Sequence, residues 1–244
     1  MSKKRSVIQF DAFQEQYFPQ VDALFKIGFG FEEDLPAKLN HSSMGGMTTS
    51  CVAIYRHDFQ QQNEDHSAAD NHADDKNDDE YFELESFDPQ LADMDGQVVG
   101  FHLLYAPNCW QPQDFPLEFN VSEYSYGLDQ LGFCEAVAVH PRMQQRGIGK
   151  KMYVWSEKKV RQLNPNCKGF ITHVWTESSG ALPLSKANSS SSSKAGGVHR
   201  IIKIHKNAWR QYYLDCGLVC NFCNAICCCT SAECETLFNA PNEK

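Results

Sequence analysis

The chain has 244 residues, 42 % of them hydrophobic, which is enough for one domain with a sizeable core and ordinary for a soluble globular protein. Its net charge is −9, yet thirteen acids against one base, Lys76, fall between Asn63 and Asp95, so the remainder is slightly basic. No run approaches a membrane span, and the basic start MSKKRSVIQFDAF lacks the apolar stretch of a signal peptide. A cytoplasmic or nucleocytoplasmic protein is therefore expected, as a single domain over 1–244, with no nucleic-acid or membrane partner.

Between Ser6 and Phe31, apolar Phe13, Tyr17, Val21, Leu24 and Phe25 recur at helical spacing, which predicts one or two amphipathic helices. Cys51 to His57 reads as a strand. Residues 58–95 read as an acidic low-complexity insertion, poor in large apolar residues before Tyr81 and hence disordered. Such a loop is solvated by default; a docking surface for basic peptides or polyamines is the alternative. Its acids do not form a calcium loop, because Leu91 and His102 stand where that loop needs acids. Asp95-Gly96 is a hairpin signal, and Gln97 to Tyr105 is the next strand.

The densest signal is EAVAVHPRMQQRGIGKK, Glu135 to Lys151. An alternating β-branched run ends at His140-Pro141, because proline lacks an N–H and biases the residue before it toward extended backbone. A turn with glycines at 147 and 149 then feeds a helical pattern. The first N–H groups of such a helix lack partners and sit at the positive end of its dipole, which suits a phosphate. The spacing is neither that of a Walker loop nor that of a three-glycine dinucleotide turn. Lys150 and Lys151 oppose the helix dipole at a cost of a few tenths of a kcal/mol each, which a nearby anion would offset. The helix carries Met152, Tyr153, Trp155, Val160 and Leu163 toward a core. Gly169 to Thr176 is a further strand, 178–199 a Ser/Gly-rich loop insertion, and a last helix and strand follow. The pattern predicts an α/β fold, a mixed central sheet with helices on both faces and two disordered insertions.

Gln144-x-x-Gly147-x-Gly149 after a short strand, preceded by Ala-Val-His-Pro, resembles the acyl-CoA signature of the GCN5-related N-acetyltransferase superfamily. The stretch Asn207-Ala208-Trp209-Arg210-Gln211-Tyr212-Tyr213-Leu214-Asp215-Cys216-Gly217-Leu218 resembles its late helix, with Leu218 in place of the usual aromatic. Together the two cover about Phe133 to Val219. The resemblance implies acetyl-CoA as cosubstrate and direct transfer of its acyl group to an amine. It implies that Val137, Ala138 and Val139 hold the pantetheine arm, and that Gln144, Gln145, Arg146, Gly147, Ile148, Gly149 and Lys150 hold the pyrophosphate, with Asn207 also at the cofactor. A tyrosine returns a proton to the leaving thiolate. Counting from Gly217 selects Tyr213 and counting from Ala208 selects Tyr212; one residue turns a helix by about 100°, so only one can face the sulfur. Tyr213 is favoured. Glu135 lies nine residues before Gln144, the general-base position of polyamine and arylalkylamine acetyltransferases, and strand parity places it on one face with Val137 and Val139.

Eleven cysteines in a chain without a signal peptide argue for free thiols or a metal rather than disulfides. Cys220, Cys223, Cys227, Cys228, Cys229 and Cys234, with His205, could bind zinc, but only Cys220 to Cys223 has knuckle spacing. The favoured reading of 220–244 is a cysteine-rich terminal strand and tail with no metal, its thiols acting as small hydrophobes. His140 and His173 read as structural. The expected activity is N-acetylation of a small amine. A protein acetyltransferase, a non-catalytic acyl-CoA binder and a zinc-dependent interaction module are the alternatives.

Overall fold

The computed structural model describes residues 5–30, 50–57, 81–84, 88–176 and 198–238, and the structural statements below concern these. They form β1 (Val7–Ala12), α1 (Phe18–Phe29), β2 (Cys51–Arg56), β3 (Tyr81–Glu83), β4 (Val98–Tyr105), β5 (Leu131–Val139), α2 (Ile148–Leu163), β6 (Gly169–Trp175), β7 (Val198–His205), α3 (Arg210–Cys216) and β8 (Ser231–Leu237). The strands make one sheet in the order β3-β1-β2-β4-β5-β6-β8-β7. Only β5 and β6 run parallel; every other pair is antiparallel, so the sheet is mixed as expected. Among the described residues no helix is long and apolar enough to cross a membrane.

Alternation along the strands builds a core on each face of this sheet. Cys51, Ala53 and Tyr55 of β2 join Ile8, Phe10, Val99, Met143, Ile148 and Met152 beneath α2. Val52 and Ile54 point the other way, to Val21, Leu24 and Phe25 of α1 and to Phe101 and Leu103. Pro19 in its first turn favours the start of α1, and Gly30 at φ 86° ends it in a left-handed conformation that side chains resist.

Four expectations need correction. The predicted N-terminal helical region begins with a strand, because Ile8 and Phe10 share a face at period two and β2 supplies the backbone partners. The acidic insertion does not extend to residue 95: β3 pairs with β1, and a 3-10 turn over Pro89–Met94 buries Leu91 and Met94. Asp95-Gly96 turns the chain from that segment into β4 rather than joining two paired strands, since β3 lies across β1. The Ser/Gly loop ends by 197, as Val198 and His199 already pair with Leu237 and Thr236. Residues 58–80 and 178–197, the cores of both insertions, lie outside the described residues.

The segment between β4 and β5 folds over the α1 side of the sheet. It packs Trp110, Phe115, Phe119, Tyr124 and Leu128 around Tyr105, Phe133 and Ile171. Two buried carboxylates of β8 anchor it. Glu233 accepts from the N–H and side-chain amide of Asn120 and from the Tyr124 hydroxyl, with His205 Nε2 at 2.9 Å. Glu235 accepts from the N–H and hydroxyl of Ser125 and from Arg200 Nε at 2.6 Å. Burial alone would push the Glu233 carboxyl up, but the Tyr124 hydroxyl, the Asn120 N–H and His205 together hold it below the usual carboxylate range.

Glu233→Ala should therefore destabilise the fold by about 3 kcal/mol, because it strands several buried donors at once. Thermal or urea unfolding measures this. A depressed carboxylate contributes stability at pH above its unfolded value and loses it as pH falls, so the difference between variant and parent should shrink on acidification below about pH 4.

Candidate functional site

The one parallel pair is short. β5 and β6 are in register from Leu131↔Gly169 to Cys134↔Thr172 and no further, although β5 runs on to Val139 and β6 to Trp175. Beyond Cys134 and Thr172 the strands part and leave a cleft in the middle of the sheet. The His140 N–H donates to Val99 O at 2.8 Å, across β4. Backbone direction alternates along a strand, so the peptide groups of Val139 and Val137 point away from β4, into the cleft. Ala138 lies between them, with its side chain toward α1.

The same strand leads into the glycine turn. His140 caps the 3-10 turn Pro141–Met143, its Nδ1 accepting from the Arg142 N–H. Gln145 at φ 62° and Gly147 at φ 80° are left-handed, and Gly147 stands just before Ile148 at the start of α2. No side chain caps that helix. Among the described residues its first N–H groups are met by no side chain of the chain itself, as an anion seat requires. The turn is braced from the β3–β4 segment. Arg142 forks onto Asp93 at 2.8 and 3.0 Å, and Arg146 reaches Asp88 at 3.3 Å. The side-chain amide of Gln144 donates to Val139 O at 3.0 Å. Arg146 and Gln144 thus spend their side chains holding the turn in shape, while Lys150 is exposed beyond it.

Glu135 lies at the mouth of the cleft, but not on the face expected. Leu103 faces Ala136 and Leu104 faces Cys134, so Glu135 is an extra residue, a β-bulge opposite β4. The bulge breaks the parity that would have grouped Glu135 with Val137 and Val139. Those two valines pack toward α2, whereas Ala136 packs toward α1 and Glu135 accepts from the Tyr105 hydroxyl at 2.9 Å on that same side. Tyr105 is buried, stacks on Phe133 and meets Phe115 edge to face, so its hydroxyl is a fixed donor.

Across the cleft, His173 of β6 is the first residue past the last pair with β5. Its Nδ1 meets the Ser231 hydroxyl at 3.0 Å, and its Nε2 is buried with no hydrogen-bond partner among the described residues. Burial, with a smaller push from His205, lowers its pKa to about 4 against the pull of Glu233, so the ring is neutral near pH 7. Sequence reading assigned His173 a structural part and passed over Tyr105. Tyr105 meets Glu135 through a hydrogen bond between residues 30 positions apart, and His173 stands one place past Thr172, where the β5–β6 register ends; neither placement has a local signal in the chain.

α3 meets the end of α1. Tyr213 is buried, its hydroxyl 3.4 Å from Phe29 O, whereas Tyr212 is only partly buried. Burial, then the neighbouring thiols of Cys220, Cys227 and Cys229, raise the Tyr213 pKa above the ordinary tyrosine range. Phe29 meets Trp175, at the end of β6, edge to face. Asn207 is an exposed left-handed turn residue two places before Trp209, the N-cap of α3.

A comparison with curated proteins finds no match. Among solved structures the chain resembles Ard1 from Thermoplasma volcanium, at TM-score 0.51 and 11 % identity over 96 % of this chain and 99 % of that one. It resembles Arabidopsis thaliana NAA60 in complex with a bisubstrate analogue, at TM-score 0.50 and 13 % identity over 96 % and 99 %. It resembles Chaetomium thermophilum Naa20 in complex with a bisubstrate analogue, at TM-score 0.50 and 12 % identity over 94 % and 86 %. At such identities the likeness is one of fold. A model of the acetyltransferase (GNAT) family matches residues 50–186, more than half of the chain and the whole run from β2 through the cleft and glycine turn to β6. The cleft, the uncapped turn and this match agree: the chain belongs to the GNAT acetyltransferase family.

Proposed function

We propose that the protein transfers an acetyl group from acetyl-CoA directly to a primary amine, a small amine in preference to a lysine or N-terminus of a protein. The observation that carries this reading is the parting of β5 from β6 beyond Cys134 and Thr172, at the end of the strand that leads into the uncapped start of α2. One continuous stretch thus offers peptide groups of Val137 and Val139 to a pantetheine arm and the N–H groups of Gln145 to Gly149 to a pyrophosphate.

In this reading the thioester lies in the cleft between Glu135 and Tyr213. Glu135 takes a proton from the incoming ammonium, the neutral nitrogen attacks the thioester carbon, and the C–S bond breaks. Tyr213 donates its proton to the departing thiolate, and the tyrosinate takes back the second proton that the nitrogen sheds as the adduct collapses; the products are the neutral amide and CoA, and Glu135 passes its proton to solvent. The Tyr105 hydroxyl holds one Glu135 oxygen and aims the other. The preference for a small acceptor is supported by the aromatic segment that Glu233 and Glu235 tie down over the Glu135 side of the sheet, which narrows the approach. The unpartnered Nε2 of His173 favours a second reading of the proton path, in which His173 orders or deprotonates the amine through a water.

Gly147→Asp should weaken acetyl-CoA binding at least about tenfold in calorimetry, since it forces a side chain into a left-handed position and adds an anion beside the seat. Unchanged affinity in a folded variant would remove the cofactor assignment.

Glu135→Gln keeps size and removes basicity. Its turnover should fall about 100-fold at neutral pH with acetyl-CoA affinity intact, and should recover at high pH, where the amine deprotonates unaided. If instead Glu135→Gln is near normal and His173→Gln is the slow variant, the histidine path replaces it.

Tyr213→Phe should depress turnover and Tyr212→Phe should not. Stopped assays with polyamines, arylalkylamines and basic peptides then sort the acceptor class.

A further inference from the structure

The run Cys220 to Thr230 is not the terminal strand that its thiol-rich sequence suggests; the only strand after α3 among the described residues is β8. The chain folds back on itself at once. The Cys220 N–H donates to Ala225 O and the Asn224 N–H to Cys220 O, both at 2.8 Å, with Asn224 left-handed at φ 50°. This tight turn places Cys220 and Cys223 side by side, and the return limb brings up Cys227 and Cys229.

The sulfurs of these four residues all lie within 4.8 Å of one another. Cys220 and Cys229 are 3.7 Å apart, and Cys223 and Cys229 are 3.5 Å apart. A Zn–S bond of about 2.3 Å gives a tetrahedral edge of about 3.8 Å, which these separations match, whereas a disulfide would bring two sulfurs to about 2.05 Å. Cys220, Cys227 and Cys229 are buried, and the Cys228 N–H donates to the Cys223 sulfur at 3.4 Å, the kind of bond that holds a thiolate in place. The other sequence candidates stand apart. Cys234 is turned to Ala232 O within β8 and His205 is engaged by Glu233, whereas Cys228 brings its sulfur to 3.4 Å from that of Cys223 but is exposed and falls outside the group whose sulfurs all lie within 4.8 Å of one another.

We infer that Cys220, Cys223, Cys227 and Cys229 hold one structural Zn2+. Four soft donors in a closed tetrahedral set, with no carboxylate or imidazole among them and no place left for water, suit zinc as a fold-closing ion rather than a catalytic one. Binding releases the four thiol protons and leaves a unit of net charge −2, with no change of oxidation state. The ion would organise a loop that otherwise has little to hold it, since Val219, Phe222 and Ile226 are exposed. Three contacts connect the loop to α3, β6 and the end of α1. Cys220, Cys227 and Cys229 pack on Tyr213, Phe222 meets Trp175 edge to face, and Asn221 fills the space where any side chain at Gly30 would sit.

The test uses the full-length chain, purified without chelator or metal-affinity resin. Elemental mass spectrometry should find about one zinc per chain. Replacement by Co2+ should give the strong visible bands of a tetrahedral thiolate site. Cys223→Ser and Cys229→Ser should lower the zinc content at least about tenfold, while Cys216→Ser and Cys228→Ser should retain it. The cobalt spectrum of the parent protein decides the matter even if a ligand variant fails to fold. The inference is overturned by a folded parent that stays below about one tenth equivalent of zinc after incubation with zinc chloride, by a disulfide among the four cysteines in peptide mapping, or by Cys228→Ser losing the metal while Cys229→Ser keeps it.

Discussion

Two parallel strands that stop pairing halfway along their length set the terms for the rest of this molecule. A buried peptide group without a partner costs on the order of 1–3 kcal/mol, so a sheet does not open at its centre without a reason. Here β5 stays paired to β4 from Phe133 to Val139, interrupted only by the bulge at Glu135, while losing β6 on the other side after Cys134. The bulge at Glu135 falls at the same level, and bulges add twist and bend to the strand that carries them. Divergence and bulge are thus one distortion, which exposes the edge of β5 and swings a carboxylate to the mouth of the opening.

Much of the remaining structure keeps that opening in shape. On one side Asp88 and Asp93 clamp Arg146 and Arg142, so the glycine turn is held from outside and its N–H groups stay unencumbered. On the other side Glu233 and Glu235 tie the aromatic β4–β5 segment to β8. The described acids with these roles are structural anchors, each committed to a cation or to backbone donors, and they account for part of the charge that the sequence shows as a net excess.

The glycine turn, its strand and its helix were legible because their signal is local: a proline, two glycines and a 3.6-residue repeat lie within 29 residues. The end of the late helix was legible for a similar reason, since Gly217 takes the left-handed conformation that closes it, and Tyr213, four residues before, falls on its buried side. The face of Glu135 was misread because a bulge depends on where β4 sits, and β4 is 30 residues away. His173 and Tyr105 went unrecognised on the same ground. The first strand was merged into a helix because Phe13 and Tyr17 extend the α1 pattern backward across the junction. The cysteine run looked like a strand because small apolar residues have no period of their own; only the left-handed Asn224 and the return limb give them a common centre.

The central claim is that the exposed edge of β5 receives the cofactor, and amide hydrogen exchange with and without acetyl-CoA tests it most directly. The account predicts that the amides of Val137 and Val139, which face the cleft, and those of Gln145 to Gly149 slow on addition of acetyl-CoA. The amides of Ala138 and His140, already directed to β4, should change little. Protection that spares β5 and the glycine turn, or that appears only at other elements, would contradict the account.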